Sequence, residues 1–430
     1  MKTAELKLQG AKKLLSAFEK KGGISFLHSN KEEAKRRFVD YGIPTKKDEY
    51  WRFTPPKYFL EKVNSREALL GSSSELRQEN SNDLTLVFVD GKFSSHLSDD
   101  IPEDAIELHS LEGLDEENIE WIKSLYGLIE MDSQTKAIRS MAAFNTACAT
   151  NGLLIRVKKT IKKNVVIKYM LKEASSSSLI HNLIKIDPNN SFTLIEDGES
   201  ALFANQVMEV EIGESANFDH IRLQGSQKIS TILTQNYVRQ EKNSSFKSFS
   251  LNLNGSMTRN ESFISLEGND CRMSVAGAFL GANNDHNDDT VFISHNSENC
   301  ESRQVFKKVL RDNSTGVFQG KILVEPAAQK TDGYQVSKGL LLNPESNFLA
   351  KPELEIYADD VVCSHGSTCG AIDEDNIFYL ISRGIPRKSA EEMLIMAFLD
   401  EAVSEITDIQ IAEEVRSLLI RELEKKIAQI

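Results

Sequence analysis

A mainly β chain with helices at both ends is the fold class this sequence predicts. From about Asn151 to Asp360, short β-branched and aromatic segments alternate with polar turns and helical spacing is almost absent. On either side of that stretch apolar residues recur at helical spacing. At 430 residues the chain is too long for one compact core of ordinary size, which implies two or three units or one elongated unit.

Up to about residue 60 the spacing of Leu14, Leu15 and Phe18, and then of Ala34 and Phe38, predicts two helices separated by Gly22-Gly23. The run from Pro44 to Pro56 is rich in turn formers. The polar tract from Ser72 to Asp83 reads as a loop before a strand at Thr85 to Val89. Leu114 to Asn145 is again helical in pattern, so residues 1–145 form a mostly helical unit with a short strand element. Strands are then predicted at Leu153–Val157, Val165–Tyr169, Phe192–Glu196, Val207–Ile212, Phe246–Leu253 and Val291–Ser294. Their turns carry asparagine, as in Asn189-Asn190, Asn252 to Gly255 and Asn283-Asn284-Asp285, and side-chain amides support tight turns repeated along a stack. Such strands suggest a sandwich, a barrel or a solenoid, and with no strict repeat visible the pattern alone leaves solenoid and sandwich at about even odds.

After Gly370 helical periodicity returns. Asp373 is a candidate cap for a short helix that Gly384 ends, and Pro386 opens the next. There Ala390, Met393, Leu394, Ala397 and Phe398 follow i, i+3, i+4, i+7, i+8 and make one apolar stripe. A last helix is predicted from Ile409 to Ile430, with Leu418, Leu419 and Leu423 on its apolar side. Such stripes ordinarily pack on one another, and a docking face for a partner is the functional alternative.

A net charge of −13 argues against nucleic acid or an anionic membrane as the main partner, since both attract basic surfaces. The opening Met1 to Lys7 lacks the apolar core of a signal peptide, and no run approaches the roughly 20 apolar residues of a membrane span. A cytoplasmic location is therefore expected. Five scattered cysteines, Cys148, Cys271, Cys300, Cys363 and Cys369, are not a disulfide framework, and most are expected to be reduced and buried.

The extended segment from Lys351 to Gly366 carries the chemistry of interest. Alternation along a strand projects Cys363 and His365 to one side, with α-carbons roughly 6.6 Å apart. Sulfur and imidazole suit iron, zinc or copper better than magnesium or calcium. Two ligands do not close a four-coordinate site, so a metal held here needs ligands from elsewhere, including another chain. Taken alone, Cys-x-His is more often a small buried residue beside a satisfied polar one.

Several enzymatic readings fail on spacing. Gly316 to Lys321 has three residues between its glycines and Ile322 after the lysine, where a phosphate loop needs four and a Ser or Thr. Neither a His-Glu-x-x-His zinc helix nor a Gly-x-Ser-x-Gly elbow occurs. His286 and His295 lie near the acidic run Asp285 to Asp289. That run is the one hint of a β-helix polysaccharide lyase or hydrolase, although a solvated turn accounts for it.

Blocks spread over most of the chain resemble one family. They are Gly42-Ile43-Pro44-Thr45-Lys46-Lys47-Asp48-Glu49-Tyr50-Trp51-Arg52-Phe53-Thr54-Pro55, Leu86 to Gly91, Ser302-Arg303-Gln304 with Lys307, Gly316 to Ile322, Ala328 to Asp332, Lys351 to Gly366 and Phe378 to Pro386. Together they resemble the SufB/SufD family of iron–sulfur cluster assembly scaffolds. The ending Cys363-Ser364-His365-Gly366-Ser367-Thr368 reads as the SufD version, and the paralogous SufB type is the nearest alternative.

The resemblance implies a right-handed parallel β-helix over residues 146–368, with about ten coils and a length on the order of 50 Å. It also implies a C-terminal helical domain at 369–430 that docks a SufC-like ABC ATPase, for which Met393, Leu394, Ala397 and Phe398 are the candidate contacts. It implies pairing with a SufB-like paralogue through the β-helix and leaves open a homodimer of the isolated chain. Cys363 and His365 would contribute to the interface where a transient iron–sulfur cluster, or iron, is handled. The chain would be a non-catalytic scaffold subunit binding no nucleotide itself. Cys369 and the Leu349-Ala350 pair depart from the family pattern, so Cys369 receives no implied role. Cys148, Cys271 and Cys300 are expected in the core.

Overall fold

The computed structural model describes residues 2–18, 25–56, 76–77, 80–114, 119–134, 137–172, 177–225 and 230–427. Helices α1 (Lys2–Phe18) and α2 (His28–Tyr41) open the chain. Gly42, at φ +68°, ends α2 where a side chain would collide with Lys7 of α1. The Gly22-Gly23 break lies outside the described residues, as do residues 72–75 and 78–79 of the polar tract. Three short strands follow, β1 (Asp83–Val89), β2 (Lys92–Ser94) and β3 (Ile106–Ser110). The predicted helical stretch before Asn145 is three short helices, α3 (Glu120–Lys123), α4 (Leu128–Ser133) and α5 (Ser140–Cys148), interrupted at the left-handed Gly127.

The chain then shuttles between two sheets. One receives β4 (Leu153–Val157), β6 (Ser177–Ile186), β8 (Phe203–Ile212), β10 (Thr231–Gln240), β12 (Met257–Leu266), β14 (His286–His295), β16 (Thr315–Val324) and β18 (Asn347–Ile356). The other receives β5 (Asn164–Met170), β7 (Ser191–Asp197), β9 (Asn217–Gln224), β11 (Ser245–Asn252), β13 (Arg272–Gly281), β15 (Glu301–Leu310), β17 (Thr331–Leu341) and β19 (Val361–Gly370). All these neighbours pair in parallel, so the core is a flattened parallel β-solenoid. It has about seven turns rather than the expected ten, which shortens it to roughly 34 Å at about 4.8 Å per layer.

One turn of each coil explains the asparagine-rich punctuation. Asn189, Ser215, Asn243, Asp270, Asn299 and Lys330 all adopt left-handed backbone, φ between 56° and 61°. Each donates its N–H to a carbonyl of the next coil: Asn189 to Glu214, Ser215 to Lys242, Asn243 to Asn269, Asp270 to Glu298, Asn299 to Gln329 and Lys330 to Asp360. Asn and Asp reach this conformation most readily among residues with a side chain. The turn thus carries its own hydrogen-bond ladder outside the strands. Inside the solenoid, in-register stacking aligns like side chains: Phe192, Phe218 and Phe246 lie ring on ring at 5.8 and 5.6 Å.

Each sheet is covered on its outer face. The N-terminal block packs on the β4–β18 sheet. The Arg259 guanidinium, wholly buried, lies 4.3 Å over the Trp51 ring, bonds Glu261 at 2.6 and 2.8 Å and pairs with Asp288. Thr54 donates to the same Asp288, and its hydroxyl is 2.9 Å from His286. Arg139 stacks between Tyr50 at 4.5 Å and Phe263 at 4.7 Å. The acidic run around Asp285–Asp289 therefore joins buried pairs, Asp289 meeting Lys308, and lines no open catalytic groove.

The second sheet is covered by α7 (Arg387–Val403) and α8 (Ile409–Ile427), reached through α6 (Glu374–Ser382), which Asp373 caps by accepting from the Asp375 N–H at 2.9 Å. Ile395, Leu399, Ala402 and Val403 of α7 are buried with Val305 and Val309 of β15, while Glu401 pairs with Lys307 and Glu405 with Arg303 at 2.6 Å. Among the described residues no helix is long and apolar enough to cross a membrane.

Removing the central cation leaves the buried Asp288 carboxylate with only neutral hydrogen-bond donors and Glu261 with only the more distant Arg139, 3.6 Å away, so Arg259→Ala should cost about 3–5 kcal/mol of stability in urea unfolding, far more than a typical surface substitution. Burial also pushes His286 and His295 down to about 4. Protons bind these imidazoles more readily in the unfolded chain, so stability is expected to be full above about pH 6.5 and to fall between that value and about pH 4. A pH series of urea midpoints checks this: His295→Gln should flatten part of the fall, and an unchanged slope would reject the assignment.

Candidate functional site

The two ends of the solenoid differ. At the first end the stack stops against short strands, with β2 antiparallel to β1 and β3 antiparallel to β4. Brief antiparallel strands blunt an edge. At the other end the stack stops at β18 and β19, each ten residues long, and among the described residues no strand pairs with their outer edges. Strands β14 and β16 are largely buried, whereas β19 is mostly exposed. Val362 is 70% exposed and Tyr357 58%, so apolar surface as well as free backbone groups faces outward here.

Cys363 and His365 both lie on this last rung. Register places Cys363 over Gly333 and His365 over Gln335, on the strand face that looks into the solenoid. The Cys363 thiol is half-buried against Ile322, Val324, Leu354 and Ala358. Gly333 makes room for it, since a β-carbon there would sit 3.2 Å from the sulfur. Burial pushes the thiol up, partly offset by the backbone of Gly333. His365 is exposed, and among the described residues no side chain hydrogen-bonds its ring. The pair is brought to one face as the spacing predicts. Cys369 shares that face but stands four residues beyond His365, roughly 13 Å along the strand, and does not join them.

Among the described residues no three His, Cys, Asp or Glu side chains converge as a metal site. The chain brings a soft sulfur and an imidazole to an open edge, a donor pair that suits iron and is short of a full coordination sphere. Sequence reasoning missed what lies beneath. Gln304 and Gln335 stack directly under His365, are fully buried, and leave both ends of their side-chain amides without a partner among the described residues. Buried amides are normally satisfied, which makes this polar column beneath the rim unusual. Their inward orientation follows from the register alone, and nothing in the local sequence marks it.

The C-terminal helices carry the other candidate surface. The buried residues of α7 are Ala390, Ile395, Leu399, Ala402 and Val403, with Phe398 packed beside them, so the stripe read in the sequence is right at Ala390 and in part at Phe398 and misses the other four. Met393 is 51% exposed and Ala397 is exposed, Leu394 is half-buried, and Phe398 is half-buried with its ring 4.9 Å from the Lys307 ammonium. The neighbouring α6 adds Phe378, 73% exposed, with Tyr379 and Ile381. The Arg387–Glu374 pair at 2.7 Å ties the two helices together.

Comparison with known proteins gives the family. Residues 169–398 match the family described as SUF system FeS cluster assembly, SufBD core domain, and residues 15–169 match the SufBD protein N-terminal region. The iron-sulfur cluster assembly protein SufD of Escherichia coli is 28% identical over 87% of this chain and 88% of its own length. A SufBD family iron-sulfur cluster assembly protein of Synechocystis is 26% identical over 85% of this chain and 84% of its own. A chloroplastic protein of Arabidopsis thaliana, ABCI7, is 25% identical over 87% and 81% respectively.

The thiols should react with maleimide in an order set by exposure. Cys369 is expected to label first, Cys363 more slowly, and Cys148, Cys271 and Cys300 only on unfolding. Peptide mapping of a time course checks this. Labelling of Cys363 no faster than the buried three would contradict an open last rung.

Proposed function

The chain belongs to the SufBD family of iron–sulfur cluster assembly proteins, and from that premise we propose that it is a non-catalytic scaffold subunit whose last coil is completed by a SufB-like paralogue. One observation carries the reading. The solenoid is blunted at its first end and left open at its last, and the open rung is the one that holds Cys363 and His365. Ten-residue strands with unpaired outer edges and exposed Val362, Tyr357 and Ile356 suit sheet extension by a second solenoid of like cross-section. At that seam the imidazole and thiol face the partner. Iron and sulfide are cargo there, and the ligands this chain lacks come from the other subunit.

The exposed patch of Phe378, Tyr379, Met393, Leu394 and Ala397 is the proposed dock for a SufC-like ABC ATPase. It lies on helices whose opposite face is packed on β13 and β15 and held there by Lys307–Glu401 and Arg303–Glu405. Because the solenoid is stiff, movement of those helices on ATP binding reaches the seam as displacement of the whole rod rather than of a loop. His365, exposed on the last rung, is the ligand-capable group with freedom to act. Cys363, partly sealed and less readily ionised, needs that displacement before its sulfur is accessible.

Reconstitution with SufB-like and SufC-like subunits tests the site. A His365→Ala variant that still forms the complex should assemble cluster at least about tenfold more slowly, and unchanged assembly would reject His365. Independently, Met393→Glu should weaken ATPase binding by about 30-fold, as expected for a charge of roughly 2 kcal/mol penalty in an apolar contact. Undiminished binding would move the dock elsewhere.

A further inference from the structure

Midway along the rod, two further sulfurs meet. Cys271 and Cys300 occupy the same turn position in consecutive coils, just before β13 and β15, where Arg272 pairs with Glu301. The Glu301 N–H donates to the Cys271 carbonyl at 2.9 Å, which fixes the two residues as vertical neighbours. Adjacent parallel strands hold such residues about 4.8 Å apart, inside the roughly 4.4–6.8 Å that a disulfide spans. Both thiols are fully buried and both are free.

Their orientation is convergent. The Cys271 sulfur lies 3.1 Å and the Cys300 sulfur 3.3 Å from one and the same acceptor, the Gly268 carbonyl. Their mutual interaction holds the Cys271 thiol below its ordinary value and the Cys300 thiol above it. Packing alone does not require sulfur here. The coils on either side fill the same position with hydroxyl side chains, Ser244 below, 3.8 Å from Cys271, and Thr331 above.

We propose that Cys271 and Cys300 form a reversible dithiol–disulfide site within the solenoid. Oxidation breaks two S–H bonds and forms one S–S bond. Two electrons and two protons pass to hydrogen peroxide, a two-electron oxidant of about the size of water, which leaves as two waters. The bridge joins neighbouring coils with little movement, since stacking already sets the spacing. It lies two coils below the open rung and shares no residue with it, so it stands or falls independently of the proposed cluster site.

The test is mild oxidation of the folded full-length chain with hydrogen peroxide, followed by alkylation in denaturant and peptide mapping. A Cys271–Cys300 cross-linked peptide is expected in the monomer, with loss of two alkylatable thiols at those positions and their recovery after dithiothreitol. Exposed Cys369 reports that the oxidant was active. The Cys300→Ser variant, which matches the neighbouring coils, should fold normally and leave Cys271 alkylatable after the same treatment. Full alkylation of both cysteines once Cys369 is oxidised, separate over-oxidation of each, or a cross-link found only when oxidant is added in denaturant would overturn the proposal.

Discussion

Parallel pairing in strict register is the constraint on which the molecule depends. Because each coil returns to the same column as the one before, every structural feature appears as a stack. Rings lie on rings from Phe192 to Phe246, left-handed turns on left-handed turns from Asn189 to Lys330, and sulfur on sulfur at Cys271 and Cys300. The column through Phe192 ends, four coils after the last ring, at Gly333 and then Cys363. The reactive rim is the unsatisfied last layer of a repeating structure rather than a cleft carved into a globule.

The stack is held between two dissimilar layers. On one sheet, cations are buried between aromatic rings and carboxylates, so Tyr50, Trp51 and Thr54 fasten the N-terminal unit through Arg139, Arg259 and Asp288. On the other, aliphatic packing of α7 and α8 is supplemented by ion pairs at partly exposed positions. Removing one member of the first set strands a buried charge, whereas the second set is weaker pair by pair because water screens it. The helices proposed to meet an ATPase are thus on the layer better able to shift.

Much of this was legible in the sequence, and the limits have physical causes. The Asp373 cap, the break at Gly384 and the Cys363–His365 face follow from local rules, and the structure agrees with each. Strands such as Thr231–Gln240 and Arg272–Gly281 escaped because both of their faces are covered, so polar and apolar residues do not alternate. The coil repeat stayed hidden because its signature is a backbone conformation shared by Asn, Asp, Ser and Lys rather than a residue type. The apolar stripe of α7 was right only at Ala390 and partly at Phe398, because the helix lies across a sheet and buries Ile395, Leu399, Ala402 and Val403 as well. Gln335, the partnered thiols and the asymmetry of the two ends all require register, which no single segment carries.

The central claim is that the final coil is an unfinished layer completed by another protein, and amide hydrogen exchange of β19 measures it directly. In the isolated chain, amides of residues 361–370 should exchange much faster than those of β15, and addition of the SufB-like partner should slow them while leaving β13 and β15 unchanged. Slow exchange in the isolated chain, or no change on complex formation, would contradict the claim.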